Sequence, residues 1–201
     1  MIGKFLLRFR WAVVVLLIIM TLPAGYLIYM EEQGNFHPIT PGEAYRSAQL
    51  DRDELEYYLS EYQIRSVINL RGESDGERWY LQEKATCRDF NVKHYDLGLK
   101  ATREPSRKQL ETLLRLFQEA PRPVLIHCQA GADRSGIAAA IWKVVIDGIP
   151  KGVAKEQLSI IFGHFPVGPT GVLDAFFEQW SPTRPPVQER SALTAASSSR
   201  S

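Results

Sequence analysis

The chain has 201 residues, 45% of them hydrophobic, with 24 Lys and Arg against 23 Asp and Glu and only two cysteines. That length suits one domain with extensions, and a net charge of +1 leaves no electrostatic footprint for nucleic acid, which is excluded as a partner. Two cysteines are too few for a disulfide framework, so the useful question is whether either thiol is reactive.

The charges are unevenly placed. Residues 1–10 carry Lys4, Arg8 and Arg10, and residues 11–30 carry no charge at all. About 20 apolar residues are what a helix needs to cross a hydrocarbon core, so 11–30 is expected to be a single transmembrane anchor. A cleaved signal peptide is the rival reading, because Leu22-Pro23-Ala24 offers a weak cleavage site. Glu31 and Glu32 follow the span. The positive-inside rule then puts residues 1–10 in the cytoplasm and the remainder outside it, in a periplasmic or extracytoplasmic space. Residues 31–180 are expected to form one folded domain, and 181–201, rich in Pro, Ser and Ala without apolar periodicity, a disordered tail.

Within the domain, strand and helix patterns alternate. An extended segment at 44–50 leads to a helix begun by Asp51, with Glu54 three residues on as a capping pattern and Leu55, Tyr58, Leu59 and Tyr62 as its apolar face. A buried strand is expected at 65–70, a polar loop after it, a helix over 79–90 and a strand at 92–97. Ser106 with Gln109 caps a third helix, which Pro121 and Pro123 close. The strand 124–127 runs into a glycine-containing loop and the apolar helix 136–146, and two more helices are expected at 153–162 and 170–180. Such alternation predicts an α/β fold with a mostly parallel central sheet flanked by helices.

The chemistry sits in His127-Cys128-Gln129-Ala130-Gly131-Ala132-Asp133-Arg134-Ser135-Gly136. A loop between a strand end and a helix start can turn its N–H groups inward, and the helix N-terminus adds positive potential, so the two make an anion site. Arg134 adds a bidentate clamp for phosphate oxygens. Cys128 lies at the floor, where the same potential favours the thiolate, the reactive form.

This decapeptide, HCQAGADRSG, resembles the HCxxGxxR[ST]G signature of cysteine-dependent protein tyrosine and dual-specificity phosphatases. PVLIHC resembles the strand before that signature and GIAAAIWKVV the helix after it, while YRSAQL and SVINLR resemble upstream segments of the compact bacterial branch. The resemblance covers about residues 36–180 and implies a protein-tyrosine-phosphatase-like fold, here preceded by one transmembrane helix. It implies phosphomonoester hydrolysis through a phosphocysteine on Cys128, with Gln129, Ala130, Gly131, Ala132, Ser135, Gly136 and Arg134 binding phosphate. No metal or cofactor is required. Ser135 is expected to donate to the Cys128 sulfur, His127 to orient the loop from behind, and Arg46 and Asn69 to brace it.

The general acid departs from the common pattern, because the loop after the 92–97 strand contains no aspartate. Asp133, inside the phosphate loop, resembles the acid proposed for phosphoinositide phosphatases with a CxxGxDR loop; Glu104 and Asp96 are the other candidates. Cys87 is either core packing or a partner that pairs with Cys128 against oxidation. Trp79 and Tyr80, with Arg71, either line the site mouth or belong to the core. The substrate follows as a phosphorylated protein, with a lipid or inositol phosphate as the alternative reading and an inactive phosphate-binding module as the third. The anchor would hold the domain at the membrane.

Overall fold

The structure, a computed structural model, describes residues 10–11, 13–19, 21, 25–26 and 33–182. The expected span at 11–30 is therefore described only in part, and of the expected tail at 181–201 only residues 181–182 are described. Among those described, no helix is long and apolar enough to cross a membrane.

In chain order the domain comprises β1 (His37–Thr40), β2 (Ala44–Ser47), α1 (Arg52–Glu61), β3 (Ser66–Asn69), α2 (Arg78–Asp89), β4 (Lys93–Asp96), α3 (Arg107–Glu119), β5 (Val124–His127), α4 (Asp133–Val145), the short α5 (Lys151–Ala154) and α6 (Val172–Gln179). The five strands form one mixed sheet in the order β1-β2-β5-β3-β4. Only β1 runs antiparallel to its neighbour.

The central strand β5 is buried along its whole length, as its unbroken apolar run requires of a strand covered on both faces. Its successive side chains divide between the two sides of the sheet. Ile126 joins Leu113 and Phe117 of α3, Ile141 of α4 and Phe177 of α6 in one core. Leu125 joins Leu55 and Leu59 of α1, Val67 of β3 and Cys87 of α2 in the other. Fully burying side chains of this size is worth about 1.5–3 kcal/mol each, so the pinning of β5 from both sides makes its C-terminal end a firm platform.

Both capping boxes form: the Asp51 and Glu54 side chains and backbones bond reciprocally, as do those of Ser106 and Gln109. Strand β1 has no counterpart in the sequence expectation because Pro38 interrupts it; as an edge strand it tolerates the missing donor. The helix expected over 153–162 is instead three short pieces, α5 and 3₁₀ turns at Lys155–Gln157 and Ile160–Phe162. Arg46 captures the Gln157 carbonyl at 2.7 Å, and Leu158 leaves helical geometry, with φ −102° and ψ 75°, while its side chain stays buried in the core. Gly163, in the left-handed region at φ 79°, then turns the chain so that His164 points inward.

Candidate active site

Cys128 follows directly on β5 and is 2% exposed. The four residues after it have their carbonyl groups engaged from outside the loop. Gln129 O accepts from the Gln49 amide at 3.1 Å, Ala130 O from Asn35 Nδ2 at 2.9 Å, and Gly131 O and Ala132 O from Arg46 Nη2 at 2.8 and 3.0 Å. Turning carbonyls outward turns the peptide N–H groups toward the concave side.

Glycine is required at position 131, where φ is 71° and a Cβ would lie 2.6 Å from the Ala48 nitrogen and 2.8 Å from the Ser47 carbonyl carbon. The start of α4 leaves the N–H groups of Asp133, Arg134 and Ser135 without intrahelical acceptors, as the first turn of any helix does. The Arg134 Nε is buried with no hydrogen-bond partner among the described residues. A buried guanidinium nitrogen kept free beside inward amides matches what a phosphate oxygen needs.

Gly136 and Ser135 also make contacts away from the concave side of the loop. The Gly136 N–H donates to Ala132 O at 2.9 Å within α4, so it is not available to an anion. What position 136 supplies is closeness: a Cβ there would lie 3.0 Å from both Gln157 O and Leu158 Cδ2. The Ser135 hydroxyl donates to Ser47 O at 3.3 Å rather than to the Cys128 sulfur, because β2 lies alongside and offers a carbonyl.

Of the two bracing residues, Arg46 braces the loop and Asn69 does not. Arg46 is wholly buried, and burial pulls its proton affinity down to about 9, against the opposing charges of Cys128 and Asp133. It remains cationic at neutral pH and lies 4.3 Å from the Phe162 ring. Asn69 bonds Gly72 O, Asp96 Oδ1 and the Arg71 amide, and so fixes the turn after β3.

His127 stands behind Cys128 as expected, with Nδ1 3.4 Å from the Cys128 carbonyl. Its Nε2 lies 3.2 Å from Glu83 on α2, a partner with no signal in the sequence, where a lone glutamate on a helix reads as a solvated charge. Glu83 also accepts from Gln49 Nε2 at 2.6 Å and meets His94 Nε2 at 2.7 Å. Burial alone would raise its pKa and is the largest influence, yet the charge of His127 and hydrogen bonds from His127, His94 and Gln49 together hold it well below the usual carboxylate range.

The three acid candidates separate clearly. Asp96 is committed, accepting from Asn69 at 2.8 Å and from the Tyr80 hydroxyl at 2.6 Å. Glu104 is an exposed loop charge with no hydrogen bond recorded to the described residues. Asp133 starts α4 beside Arg134, with its side chain 25% exposed, and its Oδ1 meets His164 Nδ1 at 2.7 Å. His164 and its second partner, Asp174 of α6, carry no sequence signal, because only the fold brings positions 133, 164 and 174 together.

Cys87 packs on the α1–α2 side of the sheet and Cys128 belongs to the core on the other side. Both are free thiols. Burial, reinforced by Glu83, pushes the Cys87 thiol up to about 12, so it stays protonated. Of the aromatic pair, Tyr80 is core, whereas Trp79 is half-buried under the Arg71 guanidinium at 3.4 Å. Arg71 donates to Gln49 Oε1 at 3.0 Å.

A cysteine thus ends a central parallel strand, a loop with its carbonyls held outward follows, and an arginine stands at the start of the next helix. The model of the tyrosine phosphatase family matches residues 29–156, and the chain belongs to that family. The dual specificity protein phosphatase TpbA of Pseudomonas aeruginosa is 30% identical over 116 residues, which are 57% of this chain and 49% of that protein. The match thus spans about half the length of the curated relative. The crystal structure of P. aeruginosa TpbA superposes with a TM-score of 0.60 at 25% identity, covering 73% of this chain and 85% of that one. The catalytic core of the PP-IP phosphatase SIW14 from S. cerevisiae superposes with a TM-score of 0.61 at 19% identity, covering 80% and 93%, and shares the fold.

Proposed function

We propose that this protein is a phosphatase that hydrolyses phosphomonoesters on protein side chains through a phosphocysteine intermediate. The observation that carries this reading is the loop itself: its four carbonyls are held outward, Cys128 at its start is nearly buried, and Arg134 Nε is buried with no partner among the described residues. In the first step the Cys128 thiolate attacks phosphorus in line with the leaving oxygen, the S–P bond forms and the P–O bond breaks. Arg134 and the amides of residues 129–135 hold the non-bridging oxygens, and Asp133 gives its proton to the leaving oxygen. In the second step water attacks phosphorus, Asp133 takes the water proton, and the S–P bond breaks to restore thiolate and release phosphate.

The protein substrate is supported by the relative's name as a dual specificity protein phosphatase and by the structure of its cysteine-to-serine variant in complex with pTyr. We also propose that residues 11–30 anchor the domain to a membrane, with the catalytic domain outside the cytoplasm, on the strength of the uncharged run and its basic flank.

Hydrolysis of p-nitrophenyl phosphate by the full chain and its Cys128→Ser variant tests the chemistry. Activity in the parent alone is expected, and equal turnover by both would sink the reading. A phosphotyrosine peptide and vesicles containing phosphatidylinositol phosphate, compared at equal substrate, test the substrate class. Preference for the vesicles would reassign it to lipids, in line with the neighbouring fold of PTPMT1 in complex with PI(5)P. For the anchor, a C-terminal reporter active only outside the cytoplasm should be active, and a cytoplasmic signal overturns the orientation.

A further inference from the structure

We propose that His164, backed by Asp174, is a positioning residue that engages Oδ1 of Asp133 and thereby confines the transferable proton of the general acid to Oδ2. The proposal rests on the reading of Asp133 as that acid.

The imidazole of His164 is wholly inaccessible to solvent, with Nδ1 2.7 Å from Asp133 Oδ1 and Nε2 2.8 Å from Asp174 Oδ2. A carboxylate only accepts hydrogen bonds. Oδ1 of Asp133 and Oδ2 of Asp174 are then the acceptors and the two ring N–H groups the donors, an arrangement that holds when Oδ2 of Asp133 carries a proton. The balance of influences on the ring agrees. Burial, the largest, disfavours the charge, yet the hydrogen bonds and charges of Asp133 and Asp174 outweigh it and the His164 pKa is raised.

The two partners of the ring come from two elements. Asp133 is on α4 and Asp174 on α6. Arg46 reaches from β2 to the loop carbonyls and responds to the charges of Asp133 and Cys128. His37 of β1 packs edge-on to the Phe162 ring at 5.0 Å. Arg134 follows Asp133 in the chain.

A brace alone would not need the arrangement to open toward the site. Side-chain exposure is 12% at Asp174, nil at His164 and 25% at Asp133, so the middle of the chain of bonds is sealed and its more exposed end is the one on the Cys128 loop. An acid works only if its proton points at the leaving oxygen. A ring N–H held on Oδ1 leaves Oδ2 as the oxygen able to carry that proton, and the bond to Asp174 stops the ring from turning away.

The test uses the full chain and two substrates, p-nitrophenyl phosphate, whose leaving group needs little protonation, and phenyl phosphate, whose leaving group needs it. Asp133→Asn is the reference and should lose far more turnover on phenyl phosphate than on the nitrophenyl ester. His164→Asn should show the same selectivity at roughly ten- to hundredfold on phenyl phosphate, the scale of one lost hydrogen bond to a charged group. If His164→Asn lowers turnover on both esters equally while Asp133→Asn stays selective, His164 is a brace only and the proposal is overturned, with Asp133 still the acid. If Asp133→Asn is not selective, the acid reading fails and the proposal with it. Asp174→Asn, which keeps the imidazole and an acceptor for Nε2, carries the same test should His164→Asn not fold. A selective loss supports the proposal, and an equal loss on both esters overturns it.

Discussion

Two buried clusters of histidine and carboxylate flank the Cys128 loop, and they are built in opposite proportions. Behind the cysteine one carboxylate, Glu83, serves two histidines, His127 and His94. At the helix side one histidine, His164, serves two carboxylates, Asp133 and Asp174. Glu83 has a side chain 4% exposed and Asp133 one that is 25% exposed, which separates a group sealed for support from one that can reach a substrate. The same chemical pairing therefore does different work according to which member faces the site.

The largest contrast should come from neutralising the two carboxylates. Asp133→Asn is expected to lower turnover of a poor leaving-group substrate by about 10²–10⁴-fold while costing less stability than the loss of Glu83, because the asparagine keeps an oxygen that accepts from His164 and the Asp174 contact stays. Glu83→Ala, by removing one partner from a buried charged cluster, should cost about 3–5 kcal/mol of stability in urea unfolding. Equal stability losses from the two would erase the distinction between support and reaction.

A smaller effect is expected at the loop between the clusters. Gly131→Ala places a side chain in a left-handed conformation and against the Ser47–Ala48 peptide, and a strained backbone position of this kind costs about 1–3 kcal/mol. Vanadate affinity should fall with it, because the carbonyls of Gly131 and Ala132 would shift off Arg46. Unchanged vanadate binding would mean that the Arg46 contacts do not shape the anion site.

The smallest effects are the pH dependences, which differ in sign. The lowered pKa of Glu83 contributes stability that is complete above the unfolded glutamate value of about 4.3 and is lost as pH falls below it. The raised pKa of His164 contributes stability that is complete below the unfolded histidine value of about 6.5 and is lost as pH rises through the folded value. Urea midpoints followed with pH should therefore show an alkaline loss that Asp174→Asn reduces and an acid loss that it leaves alone. An alkaline limb unaltered in that variant would detach it from His164.

Much of this architecture is legible in local pattern. The capping boxes at Asp51 and Ser106 are spacings of three residues, and the apolar faces of α1 and α3 and the run of β5 follow from the period of the element that carries them. The decapeptide from His127 to Gly136 is contiguous, so its strand–loop–helix order is legible, whereas Gln49, Asn35 and Arg46, remote in the chain, hold its carbonyls outward. Ser135 and Gly136 read differently in space because β2 and the Gln157 segment, far away in the chain, supply their neighbours. The broken helix after residue 154 likewise depends on Arg46, which takes the Gln157 carbonyl across a separation of 111 residues.

By itself, then, the sequence determined the α/β alternation, the cysteine at the end of β5 and the loop-to-helix junction that follows it, because each is encoded by residues within a few positions of one another. Only the tertiary structure decided which charged groups are partners. Glu83 is joined to His127 across 44 residues and His164 to Asp133 across 31, and a single carboxylate or imidazole in a sequence looks the same whether it will be solvated or sealed. Burial gives such a group its meaning, because an unpaired charge is costly there and a paired one is held in place.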